Sequence, residues 1–319
     1  MTIRIGYACI NTALPSTNRT IRLANATPER VVALAKQNLS ALGEILVWNY
    51  WHRIPLFRIS SGVIPLGSHP DMTVPWQSEL PFELGQVGGI LRNYHQRVSM
   101  HPGQYTVLSS PHAKVVSASL AELEYHASLL EALGAGVESK IVVHLGGVYG
   151  DKRAAMLRFA RHVDLLTDQA RRRLVLENDE RSYTVADALE MAEWTEMPVV
   201  FDVFHHWWNP SLPGLSLTEL VERCGATWKF QDGRQKLHYS DQWVGKPAGA
   251  HSESVNITAF GAFLDEIRGM EVDIMLEVKD KQASVLALYQ SFPELIPDLL
   301  RTEREKRADE QSQPGPFLQ

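Results

Sequence analysis

Eight short runs of apolar and β-branched residues recur along this 319-residue chain, each followed by a longer amphipathic stretch, and this alternation constrains the fold more than anything else. The runs lie near Ile3–Cys9, Leu56–Ser60, Arg97–Met100, Lys140–Leu145, Arg173–Glu177, Val199–Val203, Gln235–Tyr239 and Asp273–Val278. The clearest helix starts at Thr27, an N-cap followed by Pro28, and carries Val31, Leu34, Ala35, Leu39, Leu42 and Ile45 at three- and four-residue spacings. A second runs from about Lys114 to Leu133. Eight strand–helix units over roughly 300 residues predict a single closed (β/α)8 TIM barrel, with a doubly wound open sheet as the fallback. No internal repeat or linker interrupts the pattern, so one domain is expected over 1–300. Residues 301–319 are charged and then contain Gln-Ser-Gln-Pro-Gly-Pro, which reads as a helix end and a frayed tail.

Composition narrows the setting. A 45% hydrophobic content supports a large core, and two cysteines, Cys9 and Cys224, cannot build a disulfide framework, which suits a reducing compartment. The first twenty residues lack a basic start followed by an apolar run, and no stretch approaches the roughly 20 apolar residues of a membrane span. A cytoplasmic protein is expected. The formal charge of −6 disfavours a sequence-independent basic DNA coat. Bound divalent cations would add positive charge locally, so DNA binding stays open.

The chemistry concentrates at the C-terminal ends of the expected strands. His101, His144, Glu177, Asp202, His238 and Glu277 each close or directly follow one of six successive strands. In a closed barrel these ends converge on the mouth where such folds place active sites. A single histidine or carboxylate there is more often a hydrogen-bonded core group or a helix cap, but six on one rim would repel and lose solvation without cations. His205, three residues after Asp202, and His251, in Gly-Ala-His on the long loop after the seventh strand, extend the set to eight. At about four to six donors per ion, eight ligands imply two or three divalent metals, and a mixed histidine–carboxylate set admits Mn2+ and Zn2+ alike. Several metals around one substrate point to phosphate-ester hydrolysis. His206 points elsewhere in this reading, and His69, in Gly-Ser-His-Pro, stands equally as a functional residue or a loop residue.

Lys236 shares a strand face with His238 and therefore points inward. Three states are open to it: a neutral amine, an ammonium paired with a carboxylate, or a carbamate formed with CO2 that serves as an anionic ligand. After His101, the turn Pro102-Gly103 holds Gln104 and Tyr105 out from the mouth, an amide and a phenol suited to base edges and to a vacated stack. Tyr7, Asn11, Asn18, Arg19 and Arg22 form a polar and basic first loop, and Gly146-Gly147 with Tyr149, Gly150 and Lys152 suits a phosphate cradle. Trp207-Trp208 are read as local packing.

Taken in order, Gly6-Tyr7 with Asn11, Thr17-Asn18-Arg19-Thr20, Ser99-Met100-His101-Pro102-Gly103-Gln104-Tyr105, His144-Leu145-Gly146-Gly147, Leu176 to Arg181, Asp202 to His206, Lys236-Leu237-His238 and Gly249-Ala250-His251 resemble the UV damage endonucleases of excision repair. Those enzymes are similar in barrel and metal site to endonuclease IV. The resemblance implies a trinuclear site, Mn2+ foremost with Zn2+ or Mg2+ as alternatives, at His101, His144, Glu177, Asp202, His205, His238, His251 and Glu277, with Lys236 carboxylated. It implies that Gln104 and Tyr105 probe the duplex while a damaged dinucleotide turns into a pocket near Tyr7. Glu177, Lys236 and His69 are then the candidates for catalytic roles, and Tyr7, Asn11, Asn18, Arg19, Tyr149 and Lys152 join the wedge pair as DNA contacts. The expected activity is metal-dependent hydrolysis of the phosphodiester 5′ to cyclobutane pyrimidine dimers, 6-4 photoproducts and abasic sites in duplex DNA. A monomer using damaged DNA as its substrate, at the nucleoid in the cytoplasm, without membrane or obligatory protein partner, completes the expectation. Two competitors remain: a sugar isomerase, which needs fewer ligands and no protruding Gln-Tyr pair, and a non-catalytic damage-binding protein, which has no need of eight ligands.

Overall fold

A computed structural model describes residues 3–72 and 74–297. Its strands are β1 (Ile3–Ala8), β2 (Leu56–Ile59), β3 (Arg97–Met100), β4 (Ile141–His144), β5 (Leu174–Glu177), β6 (Val199–Asp202), β7 (Gln235–Tyr239) and β8 (Val272–Leu276). All pair in parallel with their sequence neighbours, and β8 closes on β1 through Ile3↔Val272 to Tyr7↔Leu276, giving a closed (β/α)8 barrel rather than an open sheet. Several strands end a residue earlier than the apolar runs suggest, because the chain leaves the ladder where the mouth loops begin. Cys9 shows this at a φ of 74°, a left-handed turn no strand residue adopts.

Helices cover the outside. Thr27 caps Pro28–Trp51 by accepting the Arg30 N–H, and Val31, Ala35, Leu39, Leu42 and Ile45 are buried on its inner face, as their spacing predicts. The helix continues beyond Ile45 to Trp51, and the second expected helix spans Ala113–Ala132. None of the helices in the described residues is long and apolar enough to cross a membrane. The expected tail 301–319 lies outside the described residues.

Inside the barrel, side chains stack in layers. Val142, Val175 and Val200 form one apolar patch and Ala8, Leu56 and Met275 another. Beneath them, at the N-terminal ends of the strands, is an ionic lattice. Asp273 accepts from Arg4 Nε at 2.6 Å and from Arg97 Nη1 at 2.6 Å, while Arg97 also reaches the carbonyls of Glu138, Asp232 and Arg234. Burial pushes the Asp273 carboxyl up, but the two guanidinium groups outweigh it and hold the group below its ordinary value. This end is closed by pairing, which leaves the opposite end free for chemistry.

Asp273→Asn leaves two buried arginines uncompensated and should cost about 3–5 kcal/mol of stability. Urea denaturation measures this directly, and an unchanged midpoint would contradict the role given to the lattice.

Candidate metal centre at the barrel mouth

Six strands deliver the side chains singled out by their sequence position. His144, Glu177 and Asp202 end β4, β5 and β6, His238 is the penultimate residue of β7, and His101 and Glu277 directly follow β3 and β8. Register brings neighbours side by side, with His144 opposite Glu177 and Asp202 opposite His238. Parallel partners share a face, so these side chains all project into the mouth.

Glu177, wholly buried, is the hub. Its Oε2 lies 3.0 Å from His101 Nε2 and 3.4 Å from His144 Nε2, and its Oε1 lies 2.5 Å from His238 Nδ1. Donor atoms of His101, His144 and Glu177 fall within 4.8 Å of one another, as do those of Glu177, Asp202, His238 and Glu277. One carboxylate therefore belongs to two ligand groups. His205 and His251 flank them. The short helix Val203–Trp208 is capped by Asp202, which accepts the His205 N–H at 2.7 Å, and the His205 ring lies 5.7 Å from that of His144 and 5.8 Å from that of His251.

The histidine tautomers fit cation binding. His101, His205 and His251 each face a backbone carbonyl through Nδ1, those of Pro102, Asn178 and Glu277, at 3.1, 2.9 and 2.9 Å. At His101, an Nδ1–H donating there leaves the Nε2 lone pair facing the centre, 3.0 Å from Glu177 Oε2, the arrangement metal-binding histidines use. Asp202 Oδ2 is buried without a hydrogen-bond partner. Burial pushes the Asp202 carboxyl up to about 8. Burial alone would raise Glu177 too, but His238 and His144 outweigh it and hold it well below the carboxylate range. Burial brings His238 down to about 4, whereas Asp202, Glu177 and Glu277 overcome burial at His205 and lift it to about 9. Protons are thus divided unevenly among crowded acids and imidazoles. A divalent cation is the natural replacement for them, and the donor set present would hold one in each group.

Sequence reasoning missed Arg58. Its Nη2 lies 2.5 Å from Glu277 Oε1 and 2.9 Å from His238 Nε2, placing a buried guanidinium in the wall of the centre. The available signal was an arginine between Phe57 and Ile59 near a strand end, alternating inward with Leu56.

The remaining expectations separate. Lys236 is inside the barrel, 1% exposed, and burial drives its amine well below the ordinary lysine range, with Arg97 adding to the effect and Asp273 opposing it. Tyr105 is 83% exposed and Gln104 is exposed beside it on a turn closed by the Thr106 N–H on the Gly103 carbonyl. Gln104 also lines a cavity of about 310 Å³ with His101, His144 and Arg181. Asn18 is exposed next to Gly62, and Arg19 folds back onto the Ser16 carbonyl. Tyr149 is partly exposed at a φ of 50°, with the Arg158 guanidinium 5.7 Å from its ring centroid. His69 Nδ1 accepts the Asp71 N–H at 3.2 Å, a local turn contact, and His69 belongs to neither ligand group. His206 turns to Phe201, as expected of a residue outside the set.

One expectation needs correcting as the chain is folded. Tyr7 and Asn11 are buried, the Tyr7 hydroxyl donating to Asn49 at 2.7 Å and accepting from Asn11 at 2.9 Å, so they brace the barrel wall instead of meeting DNA. Lys152 stays at the surface, its side chain 39% exposed and paired at 2.6 Å with Asp187, which also closes the capping box of Val185–Thr195.

A family model described as UV-endonuclease UvdE matches residues 3–301. The chain belongs to the UvdE family. Within it, the chain is 41% identical to the UV DNA damage endonuclease of Clostridium perfringens over 295 residues, covering 92% of this chain and 71% of that one. It is 32% identical to the UV DNA damage endonuclease of Bacillus velezensis, with 83% of each covered. The crystal structure of SacUVDE superposes with a TM-score of 0.86 at 40% identity, over 92% of this chain and 99% of that one. Endonuclease IV from Thermus thermophilus shares the fold, with a TM-score of 0.57 at 14% identity over 91% and 99% of the two chains. Membership in UvdE identifies the chain as a DNA endonuclease with a candidate metal-binding cluster.

The elevated Asp202 predicts a crossing. Its folded value of about 8 exceeds the unfolded value near 3.9, so in chelator this group removes stability as pH rises through that interval. At pH 8, Asp202→Asn should melt above the unsubstituted protein in chelator and below it with Mn2+. Equal melting shifts on Mn2+ addition for both proteins would remove Asp202 from the ligand set.

Proposed function

We propose that this UvdE-family chain is a divalent-metal-dependent endonuclease that cuts the phosphodiester immediately 5′ to UV photoproducts in duplex DNA and leaves a 3′-hydroxyl. Cyclobutane dimers and 6-4 photoproducts are its main lesions, with abasic sites as a further substrate. The observation that carries this reading is Glu177, a buried carboxylate shared by two ligand groups within 4.8 Å. When bound, two or three divalent ions, Mn2+ foremost, would supply Lewis-acid activation of water and neutralise phosphate charge.

The chain's own residues do the rest. Glu177, Asp202 and Glu277 would offer oxygens to the ions, and His101, His144, His205, His238 and His251 would offer nitrogens. The buried walls keep bulk water from the phosphate, which strengthens every charge interaction there. Gln104 and Tyr105 act as the wedge. A crosslinked pyrimidine pair stacks poorly, so extruding it costs less than the few kcal/mol of an intact step, and a protruding aromatic exploits that difference. Exposure of Tyr105 supports this use, since a large ring left in water has packing surface to offer. Asn18, Arg19 and Tyr149 contribute backbone contacts on the rim.

Lys236 is carboxylated in this reading. A buried amine kept below its ordinary pKa is neutral and nucleophilic: its nitrogen bonds to the carbon of CO2, one proton leaves, and the resulting carbamate sets an anion among the Arg97, Arg58 and Arg4 guanidinium groups.

Two experiments test these assignments. A UV-irradiated duplex should be nicked with Mn2+ and spared with chelator, an untreated duplex spared in both, and Tyr105→Ala should narrow the rate ratio between the two duplexes by about tenfold or more with metal content retained. A rate ratio unaffected by the substitution would end the wedge role. Activity of protein purified and assayed without bicarbonate should rise when bicarbonate is restored, and Lys236→Met should abolish that response. No response in the unsubstituted protein would mean an unmodified lysine.

A further inference from the structure

The loop after β8 carries a feature that the ligand set does not use. Lys281 has φ 58° and ψ −115°, a backbone conformation normally left to glycine, and it introduces the helix Gln282–Ser291 without a side-chain capping bond. Gln282 next to it is tied to the first loop, accepting the Thr12 N–H at 2.9 Å and donating to Thr12 Oγ1 at 2.6 Å. On the other side, the Cys9 N–H donates to the Arg58 carbonyl at 2.8 Å. The strained residue is therefore tied through its neighbour to the first loop, near the wall of the metal centre. Its half-buried ammonium shares the electrostatic neighbourhood of Cys9, Glu277, Arg58 and Lys279.

Glu277 favours the ammonium electrostatically, but that carboxylate is shared. Glu277 is bonded to Arg58, and Asp280 accepts the Ser284 hydroxyl at 2.6 Å inside the following helix turn. Among the described residues, no hydrogen bond or ion pair engages the Lys281 ammonium. A cation on a strained backbone, partly desolvated and without an ion pair of its own, is costly to keep. An anion arriving at the mouth would supply the missing partner. Barrels of this class commonly take phosphate groups at the loops after the seventh and eighth strands, where Lys281 stands.

We propose that Lys281 is a DNA-phosphate contact, holding the backbone on the Glu277 side of the mouth beside the bond to be cut. This inference rests on the nuclease reading above. Lys281 is a ground-state anchor, so its loss weakens binding more than it slows cutting.

Steady-state nicking of a UV-irradiated duplex by the Mn2+-loaded protein tests this. Lys281→Met should raise KM about tenfold with kcat within about threefold, and should reduce the slope of log affinity against log salt by about one. Lys281→Arg should keep KM within about threefold of the unsubstituted protein. Lys281→Gly should show the same weakened binding yet melt above Lys281→Met, because glycine adopts the positive φ freely. Metal content by elemental analysis should match the unsubstituted protein in all three. An unchanged KM and salt slope in Lys281→Met would overturn the contact, as would a fall in kcat alone. Fluorescence anisotropy with the same duplex in chelator reads binding apart from cutting. An unsubstituted protein that nicks neither duplex would defeat the nuclease reading itself, whereas one that nicks while Lys281→Met binds equally well would defeat only this inference.

Discussion

The mouth of this barrel is organised by one constraint: a fully buried carboxylate, Glu177, must be compensated from two sides at once. A carboxylate without water is tolerable only among cations or donors, and here imidazoles from β3, β4 and β7 converge on its two oxygens. This requirement explains the strand lengths. Each of the six ligand-bearing strands stops within a residue of its ligand, so the side chain is held by the ladder while the backbone beyond is free to form a loop. Rigid elements therefore aim the donors, and variable loops carry the parts that meet substrate.

The two ends of the barrel solve the same electrostatic problem differently. At the N-terminal end, Asp273 is matched by Arg4 and Arg97, and Lys140 by Asp232 at 2.6 Å, so charge is balanced within the protein. At the C-terminal end the balance is incomplete: Asp202 keeps an unpartnered oxygen, and its carboxyl favours the protonated form until a cation takes the proton's place. Stability is stored where pairing is complete and chemistry where it is not. The apolar layers of Val142, Val175, Val200, Leu56 and Met275 separate the two regions.

Much of this was legible from residue order. Parallel strands alternate inward and outward with a fixed period, so His101, His144, Glu177, Asp202, His238 and Glu277 could be placed at one opening from their positions in apolar runs alone. The failures share a cause. Tyr7 and Asn11 are polar residues near the mouth in sequence, but Tyr7 meets Asn49 42 residues on and holds Asn11 with it, and no local pattern announces such long-range pairing. Arg58 was overlooked for the converse reason, since an isolated arginine in an apolar strand looks like an edge residue until ring closure through β1 and β8 brings His238 of β7 to it.

The closure of β8 onto β1 has a temporal consequence. Glu277 and the strand that seals the ring are contributed by the last part of the barrel to be synthesised, while β1 is the first to emerge. A growing polypeptide on the ribosome consequently has an unpaired opening strand and an incomplete ligand group until translation passes β8. The ring and the Glu177–Asp202–His238–Glu277 group can therefore be completed only late in elongation, once Glu277 has been added.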